Sequence, residues 1–96
     1  MDKDLLLATL RKYKSEIEGF GVAKIGLGSY LTGIENRHSD IDIYISFHEA
    51  HATYDNFIHL CDFLENLFPG HKVEVVTEGW VSPYIEPAIV ETTEYA

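Results

Sequence analysis

Residues 26–47 read GLGSYLTGIENRHSDIDIYISF, and the last seven of them indicate a strand with one buried face. As an extended strand, IDIYISF places its apolar side chains on one side, because successive side chains alternate between the two faces. These side chains are Ile41, Ile43, Ile45 and Phe47. The opposite side begins with two carboxylates, Asp40 and Asp42. We expect the isoleucines to enter a core and the carboxylates to stay on the open face.

Two elements are predicted before this strand. Residues 2–21 have apolar side chains at helical spacing, and this indicates an amphipathic helix that Gly19 and Gly21 end. The helical face consists of Leu6, Leu10, Tyr13 and Ile17. Residues 22–27, VAKIGL, then predict a short strand, for which Gly28-Ser29 provides the terminating turn.

Three elements are predicted after it. Residues 53–68 indicate a second helix, with Thr53 or Asp55 as its cap and Pro69-Gly70 as its stop. Residues 72–76, KVEVV, predict a third strand. Ser82-Pro83 is typical of a helix start, and Pro87 should kink or restart that last helix. This order of elements favours a single α/β or α+β domain over residues 1–96, with helices packed on a sheet.

Composition and charge restrict the function. The chain has 7 Lys and Arg against 16 Asp and Glu, a formal charge of -9, and no basic run. Direct nucleic-acid binding is therefore disfavoured, whereas a basic protein partner or a metal-bound anionic ligand remains compatible. No apolar run is long enough to span a membrane. Asp2 and Asp4 stand where a signal peptide has basic charge, so we expect a cytoplasmic protein.

The two aspartates and the Gly-Ser turn suggest a site for a metal and a phosphate. Asp40 and Asp42 repel each other unless a cation lies between them, and Mg²⁺ is the usual choice for carboxylate oxygens. Alone, the pair would equally fit a solvated strand end. Gly28-Ser29 precedes it by ten residues. Glycine permits close backbone approach to an anion, and the Ser29 hydroxyl and the following N–H groups can hold phosphate oxygens.

The stretch GSYLTGIENRHSDID resembles the signature of the polymerase-beta nucleotidyltransferase superfamily: Gly-Ser, ten residues, then Asp-x-Asp. Residues 53–95 are similar to the second half of its minimal nucleotidyltransferase (MNT) family, antitoxin type. In that family a helix ending in Leu-Glu-x-Leu is followed by a strand with a third acid. The resemblance covers nearly the whole chain. It implies a small mixed β-sheet flanked by helices, with the catalytic acids on neighbouring strands.

The resemblance also implies an activity and its residues. Gly28 and Ser29 match the nucleotide-phosphate turn of the family. Asp40 and Asp42 match its metal-binding pair, and Glu74 falls at the third acid. Together these acids would hold two Mg²⁺ ions and transfer a nucleoside monophosphate, with AMP from ATP as the favoured case. The implied acceptor is a small helical protein of the HEPN class, with this chain as the antitoxin of the pair.

Glu74 has support from the residues themselves, because Val73 and Val75 alternate with it and leave it off the core face. Most lone glutamates on strands merely face solvent. Two departures from the family matter: Leu31-Thr32 stand where members often have Ala-Arg, and the third acid is Glu rather than Asp. Two other functions therefore stay open. One is a degraded nucleotidyltransferase that binds nucleotide or masks a partner; the other is a regulatory metal-binding domain.

Three further features give weaker signals. His48 and His51 form a weak metal pair and are better interpreted as a polar loop, since no other ligand clusters with them. Cys61 is interpreted as a buried structural thiol. Trp80 and Tyr84 could line a nucleotide pocket or an interface, and the sequence does not choose between them.

Overall fold

The computed structural model describes residues 3–28 and 41–96. In this part of the chain the helices and strands follow one another as α1 Lys3–Lys12, α2 Lys14–Glu18, β1 Val22–Gly28, β2 Ile41–Phe47, α3 Tyr54–Leu67, β3 Val73–Thr77, α4 Glu86–Thr92 and β4 Thr93–Tyr95. A short 3-10 turn, Glu49–His51, lies between β2 and α3. None of the helices in the described ranges is long and apolar enough to cross a membrane.

The four strands form one mixed sheet in the order β3-β2-β1-β4. Strand β1 is antiparallel to both of its neighbours, whereas β2 and β3 run parallel. A parallel pair needs a crossover connection, and α3 supplies it between β2 and β3. The predicted mixed α/β fold is confirmed.

The main core lies on the isoleucine face of β2, as the alternation predicted. Ile43 and Ile45 are fully buried there, against leucines of α1 and α3. Helix α3 is positioned by its predicted cap, because the Thr53 hydroxyl accepts a hydrogen bond of 3.2 Å from the Asn56 N–H. Burial of these aliphatic side chains, at about 1.5–3 kcal/mol each, is the main term that stabilises the fold.

The opposite face of the sheet is covered by α4. Ile89 of this helix packs with Tyr44 of β2 and Val76 of β3 in a second, smaller apolar cluster, against which Val81 also packs. Tyr44 and Ile89 are each almost completely buried. The face that starts with the carboxylates therefore has a cover of its own instead of opening fully to solvent.

The first helix differs from its prediction. A single helix was expected, but it is divided at Tyr13, which lies at φ -103° and ψ 16°, outside the helical range. The Tyr13 ring makes an edge contact with Phe63 of α3, with 6.3 Å between the ring centroids. After this break, α2 directs Ile17 into the main core, where it is fully buried.

The last helix also starts later than predicted. Helix α4 begins at Glu86, and Ser82 instead forms a turn in which its hydroxyl accepts a hydrogen bond from the Tyr84 N–H. Pro87 occupies the first turn of α4. Proline fits there because the first N–H groups of a helix lack intrahelical partners anyway. Of the two predicted effects of Pro87, restarting the helix is the correct one.

Strand β4 has no counterpart in the sequence prediction. Its three residues pair with β1, with Tyr95 opposite Gly26 and Thr93 opposite Gly28. A Cβ atom at Gly26 would come within 2.5 Å of the Glu94 carbonyl oxygen. Only glycine at this position lets β4 close against the sheet.

Candidate active site

Asp42 and Glu74 lie level with each other on the two parallel strands. The register pairs them directly, and directly paired residues of neighbouring strands point to the same face of a sheet. At the start of the two strands, the Ile41 N–H donates a hydrogen bond of 3.1 Å to the Lys72 carbonyl oxygen. Neighbouring strands are about 4.8 Å apart, so the two carboxylates can reach a common ligand.

Gly28 of β1 lies level with the Asp42–Glu74 pair. The register pairs Gly26 with Tyr44 and Leu27 with Ile43, so the next step brings Gly28 opposite Asp42. Among the described residues, no atom lies within 4 Å of the position that a Gly28 Cβ would occupy. Gly28 ends β1, whereas the sequence predicted it in the following turn. Gly28 is itself buried, and its backbone lies level with Asp42 on the neighbouring strand.

The other two predicted site residues, Ser29 and Asp40, lie outside the described residues. They are the chain neighbours of Gly28 and Ile41, the residues that end β1 and begin β2. Their roles stay predictions.

Asp42 is only 5% exposed. The sequence predicted carboxylates on an open face, and for Asp42 this is wrong, because its side chain is buried in the folded chain. A buried carboxylate is costly unless it is paired or bound to a cation. Glu74, at the edge of the sheet, is exposed. The site thus combines a sheltered acid with an accessible one.

The chemistry of these side chains fits a hard divalent cation. Mg²⁺ binds through one or two carboxylates and keeps its remaining positions for water and phosphate oxygens. Within residues 3–28 and 41–96, no group of three acidic, His or Cys side chains is close enough to hold a metal. The described residues therefore supply two carboxylates, Asp42 and Glu74, and the predicted third, Asp40, lies beyond them.

Tyr44 is the residue of this face that sequence reasoning did not single out. Its side chain is 2% exposed, and its hydroxyl has no hydrogen-bond partner among the described residues. Burial, followed by the negative charges of Glu86 and Glu78, raises the pKa of Tyr44 to about 12. The sequence signal that could have identified Tyr44 is a large side chain with a polar end, two positions after Asp42.

The weaker candidates take structural positions. His48 donates its backbone N–H to the Gly21 carbonyl oxygen at 2.9 Å, and the His51 side chain packs where a Gly21 Cβ would stand. The His48–His51 segment is thus a polar loop, as interpreted. Cys61 is half-buried rather than fully buried, and burial with the nearby Glu65 raises its thiol pKa.

Trp80 packs at the other end of β2 from Asp42. Its ring lies 5.2 Å from that of Phe57 and 6.3 Å from that of Phe47, measured between centroids. Phe47 is five residues beyond Asp42, or about 17 Å along a strand. Trp80 therefore belongs to an aromatic cluster away from the acids, and Tyr84, at 93% exposed, is a surface residue.

A mixed sheet with carboxylates on neighbouring strands is the arrangement of a nucleotidyltransferase, and the comparisons with known proteins agree. Residues 7–96 match the family model of the nucleotidyltransferase domain, and the chain belongs to this family. A solved minimal nucleotidyltransferase has the same fold, with a TM-score of 0.74 and 25% identity over 98% of this chain and 95% of its own. The chain is thus an enzyme of the nucleotidyltransferase class.

Two relatives align with this chain along most of their length. MJ0128 of Methanocaldococcus jannaschii is 38% identical over 89 residues, which cover 90% of this chain and 89% of that protein. The protein adenylyltransferase MntA of Thermococcus cleftensis is 34% identical over 88 residues, which cover 90% of this chain and 87% of its own. This chain is therefore similar to a protein adenylyltransferase along nearly its whole length.

Proposed function

We propose that this nucleotidyltransferase transfers AMP from ATP to a protein hydroxyl in a Mg²⁺-dependent reaction. The observation that carries the proposal is the pairing of Asp42 and Glu74 at the same level on one face of the sheet. The similarity to the protein adenylyltransferase MntA supports a protein as the acceptor.

Each residue of the site has a separate role in this reaction. Asp40, Asp42 and Glu74 hold the metal, and the Gly28-Ser29 backbone binds the phosphates. Bound Mg²⁺ would neutralise the triphosphate and lower the pKa of the acceptor hydroxyl. The acceptor oxygen forms a bond to the α-phosphorus as the bond between that phosphorus and the bridging oxygen breaks. Pyrophosphate leaves, and the hydroxyl proton passes to solvent.

The proposed acceptor is a small helical partner of the HEPN class, with this chain as the antitoxin of a toxin–antitoxin pair. The family resemblance is the source of this assignment. The charge of -9 is compatible with it, because an acidic chain associates favourably with a basic protein partner. Transfer of AMP would then modify the partner covalently.

A second candidate is a degraded enzyme that binds nucleotide or masks its partner without modifying it. The exposure of Glu74, in contrast to the burial of Asp42, is the observation that favours it. An accessible third acid with a longer side chain is less firmly positioned for catalysis, which is sensitive to displacements of about 1 Å.

Labelled ATP distinguishes the two. The chain is mixed with a HEPN-class protein, Mg²⁺ and ATP labelled at the α-phosphate, and labelled protein is detected after denaturing electrophoresis. We expect a labelled partner, and loss of the label with the Asp42→Asn variant. Asp62→Asn, an exposed acid on α3, is the matched control and should keep full labelling. Tight partner binding without any label would establish the degraded enzyme instead.

Metal dependence is tested separately by calorimetry. ATP should bind with Mg²⁺ present and lose most of its affinity when the metal is chelated, because the acidic face repels the free triphosphate. Equal binding in both conditions would contradict the metal-based site.

A further inference from the structure

Helix α4 presents a shallow groove on its outer surface. Five residues line it, and we refer to them as the α4 groove: Pro83, Glu86, Pro87, Val90 and Glu91. Its volume of about 440 Å³ is sufficient for a few side chains of another molecule. Prolines and valine form its apolar part, and the two glutamates add negative charge.

The charge around this groove is one-sided. Residues 73–96 contain five glutamates and no Lys, Arg or His, so they supply -5 of the formal charge of -9. All seven Lys and Arg residues occur at position 72 or earlier. Lys3 of α1 pairs with Glu94, whereas Glu86 and Glu91 are the two acids that line the groove. Apolar side chains next to these two carboxylates favour a partner with apolar residues flanked by basic ones, since complementary charge steers and orients association.

Exposed apolar side chains extend the surface beyond the groove. Val90 is 40% exposed, Ile85 is 41% exposed and Tyr84 is 93% exposed. Burying such side chains in a contact stabilises it by about 25 cal/mol for each Å² removed from water. The α4 groove and the turn before it therefore offer both an apolar and an electrostatic contribution to binding.

The direction of α4 relates the groove to the acids. The helix starts beyond Trp80, at the aromatic end of the sheet, and packs Ile89 against Tyr44. It ends at Thr92, directly before Thr93, which pairs with Gly28. Gly28 is in turn level with Asp42. The end of the helix that contains Val90 and Glu91 thus lies toward the acids, so a partner held there is held beside the proposed site.

We propose that the α4 groove docks a basic amphipathic helix of the acceptor protein. That the docked partner is the acceptor rests on the proposed function, but binding at the groove does not depend on catalysis. Docking raises the local concentration of the acceptor hydroxyl next to the site, and such positioning is a large part of what transfer reactions require.

A synthetic amphipathic peptide of about 18 residues, with leucines on one face and lysines beside them, tests the docking. Binding to the full chain is followed by fluorescence anisotropy without ATP or Mg²⁺. We expect micromolar affinity that weakens as salt is added. Val90→Asp should weaken it by about tenfold and Glu91→Lys by about fivefold. The same peptide with glutamate in place of lysine should not bind.

Matched controls lie on α3. Ile58→Asp and Glu65→Lys alter one exposed apolar and one exposed acidic residue of that helix, and both should leave affinity within about twofold. No binding of the basic peptide, equal loss with the α3 variants, or a self-associated dimer that Val90→Asp dissociates would overturn the proposal. Because no nucleotide is present, docking can fail while AMP transfer is intact, and transfer can fail while docking persists.

Discussion

The two faces of strand β2 differ in what they bury and in what covers them. The odd-numbered face buries Ile41, Ile43 and Ile45 under α1, α2 and α3, with no polar side chain. The even-numbered face buries Asp42, Tyr44 and Ser46, and α4 supplies its apolar cover. Both faces belong to the same seven residues.

Stability and chemistry therefore reside on different faces of β2. Close packing of aliphatic side chains on the first face stabilises the sheet, which can then tolerate on the second a carboxylate and a hydroxyl that lacks a partner among the described residues. If this division is correct, substitutions on the even-numbered face should lower activity with little loss of stability. Substitutions on the odd-numbered face should lower stability with little effect on activity.

The largest effect is expected for Asp42→Asn. AMP transfer should fall by about a thousandfold, because a neutral amide cannot hold the metal. Without Mg²⁺, the free energy of unfolding should change by less than about 1 kcal/mol or rise, since burial of an amide costs less than burial of a charge. Urea unfolding and the labelled-ATP assay measure the two quantities. A large loss of stability would make Asp42 a structural residue.

Ile43→Ala should lower stability and leave ATP binding by the folded protein unchanged. A fully buried isoleucine truncated to alanine costs about 2–4 kcal/mol of unfolding free energy through lost burial and a cavity. The folded fraction should still bind ATP as before. Val90→Ala, on the exposed side of α4, is the comparison and should cost under about 1 kcal/mol. Equal costs would contradict the assignment of Ile43 to the core that stabilises the sheet.

Glu74→Gln should lower AMP transfer by about a hundredfold while most ATP affinity remains, as expected for a group that acts in the transition state. Glu74→Asp should retain or improve activity. Steady-state kinetics with separate ATP-binding measurements test this, with Glu65→Gln on α3 as the control. Unchanged transfer by Glu74→Gln would show that the third acid lies elsewhere.

Tyr44→Phe should give the smallest change, a gain of about 1 kcal/mol at pH 7, because the buried hydroxyl has no partner among the described residues. The pKa of Tyr44 is raised from 10.0 to about 12, so the neutral form is favoured in the folded state. Ionisation of Tyr44 therefore leaves the free energy of unfolding unchanged below pH 10 and lowers it as the pH rises toward 12, because the unfolded chain ionises first.

Across that pH window the unmodified protein should therefore lose about 2–3 kcal/mol more unfolding free energy than Tyr44→Phe. Urea unfolding at several pH values measures the difference. Tyr84→Phe, at a surface position, should follow the unmodified protein throughout. If Tyr44→Phe also followed it, the hydroxyl would have to be solvated in the folded state.

Much of the fold could be predicted because its signals are local. The alternation of Ile41, Ile43 and Ile45 set the core face, and the Thr53 cap and Pro69-Gly70 bounded α3 correctly. For the candidate site, the alternation of Glu74 with Val73 and Val75 predicted that Glu74 points away from the core. Its exposure in the structure agrees with this prediction. Its pairing with Asp42 required the parallel register, which depends on contacts across 32 residues of sequence.

The missed features depend on tertiary contacts. Strand β4 has too few residues to show a period, and it forms because Gly26 leaves room for it. The break at Tyr13 accompanies a ring contact with Phe63 on another helix. The burial of Asp42 could not be predicted either, because the alternation gives only the face on which its side chain lies. The start of α4 was misplaced because Ser82-Pro83 and Pro87 both satisfy the rules for a helix beginning.

The parallel pairing of β2 and β3 also has a kinetic consequence. Asp42 and Glu74 come together only when α3 has closed the crossover, and contacts between distant residues form slowly. We therefore expect the nucleotide site to be completed late in refolding. In stopped-flow experiments, Leu60→Ala, which weakens the docking of α3, should delay the recovery of ATP binding. An assembled site would then report that the whole chain has folded.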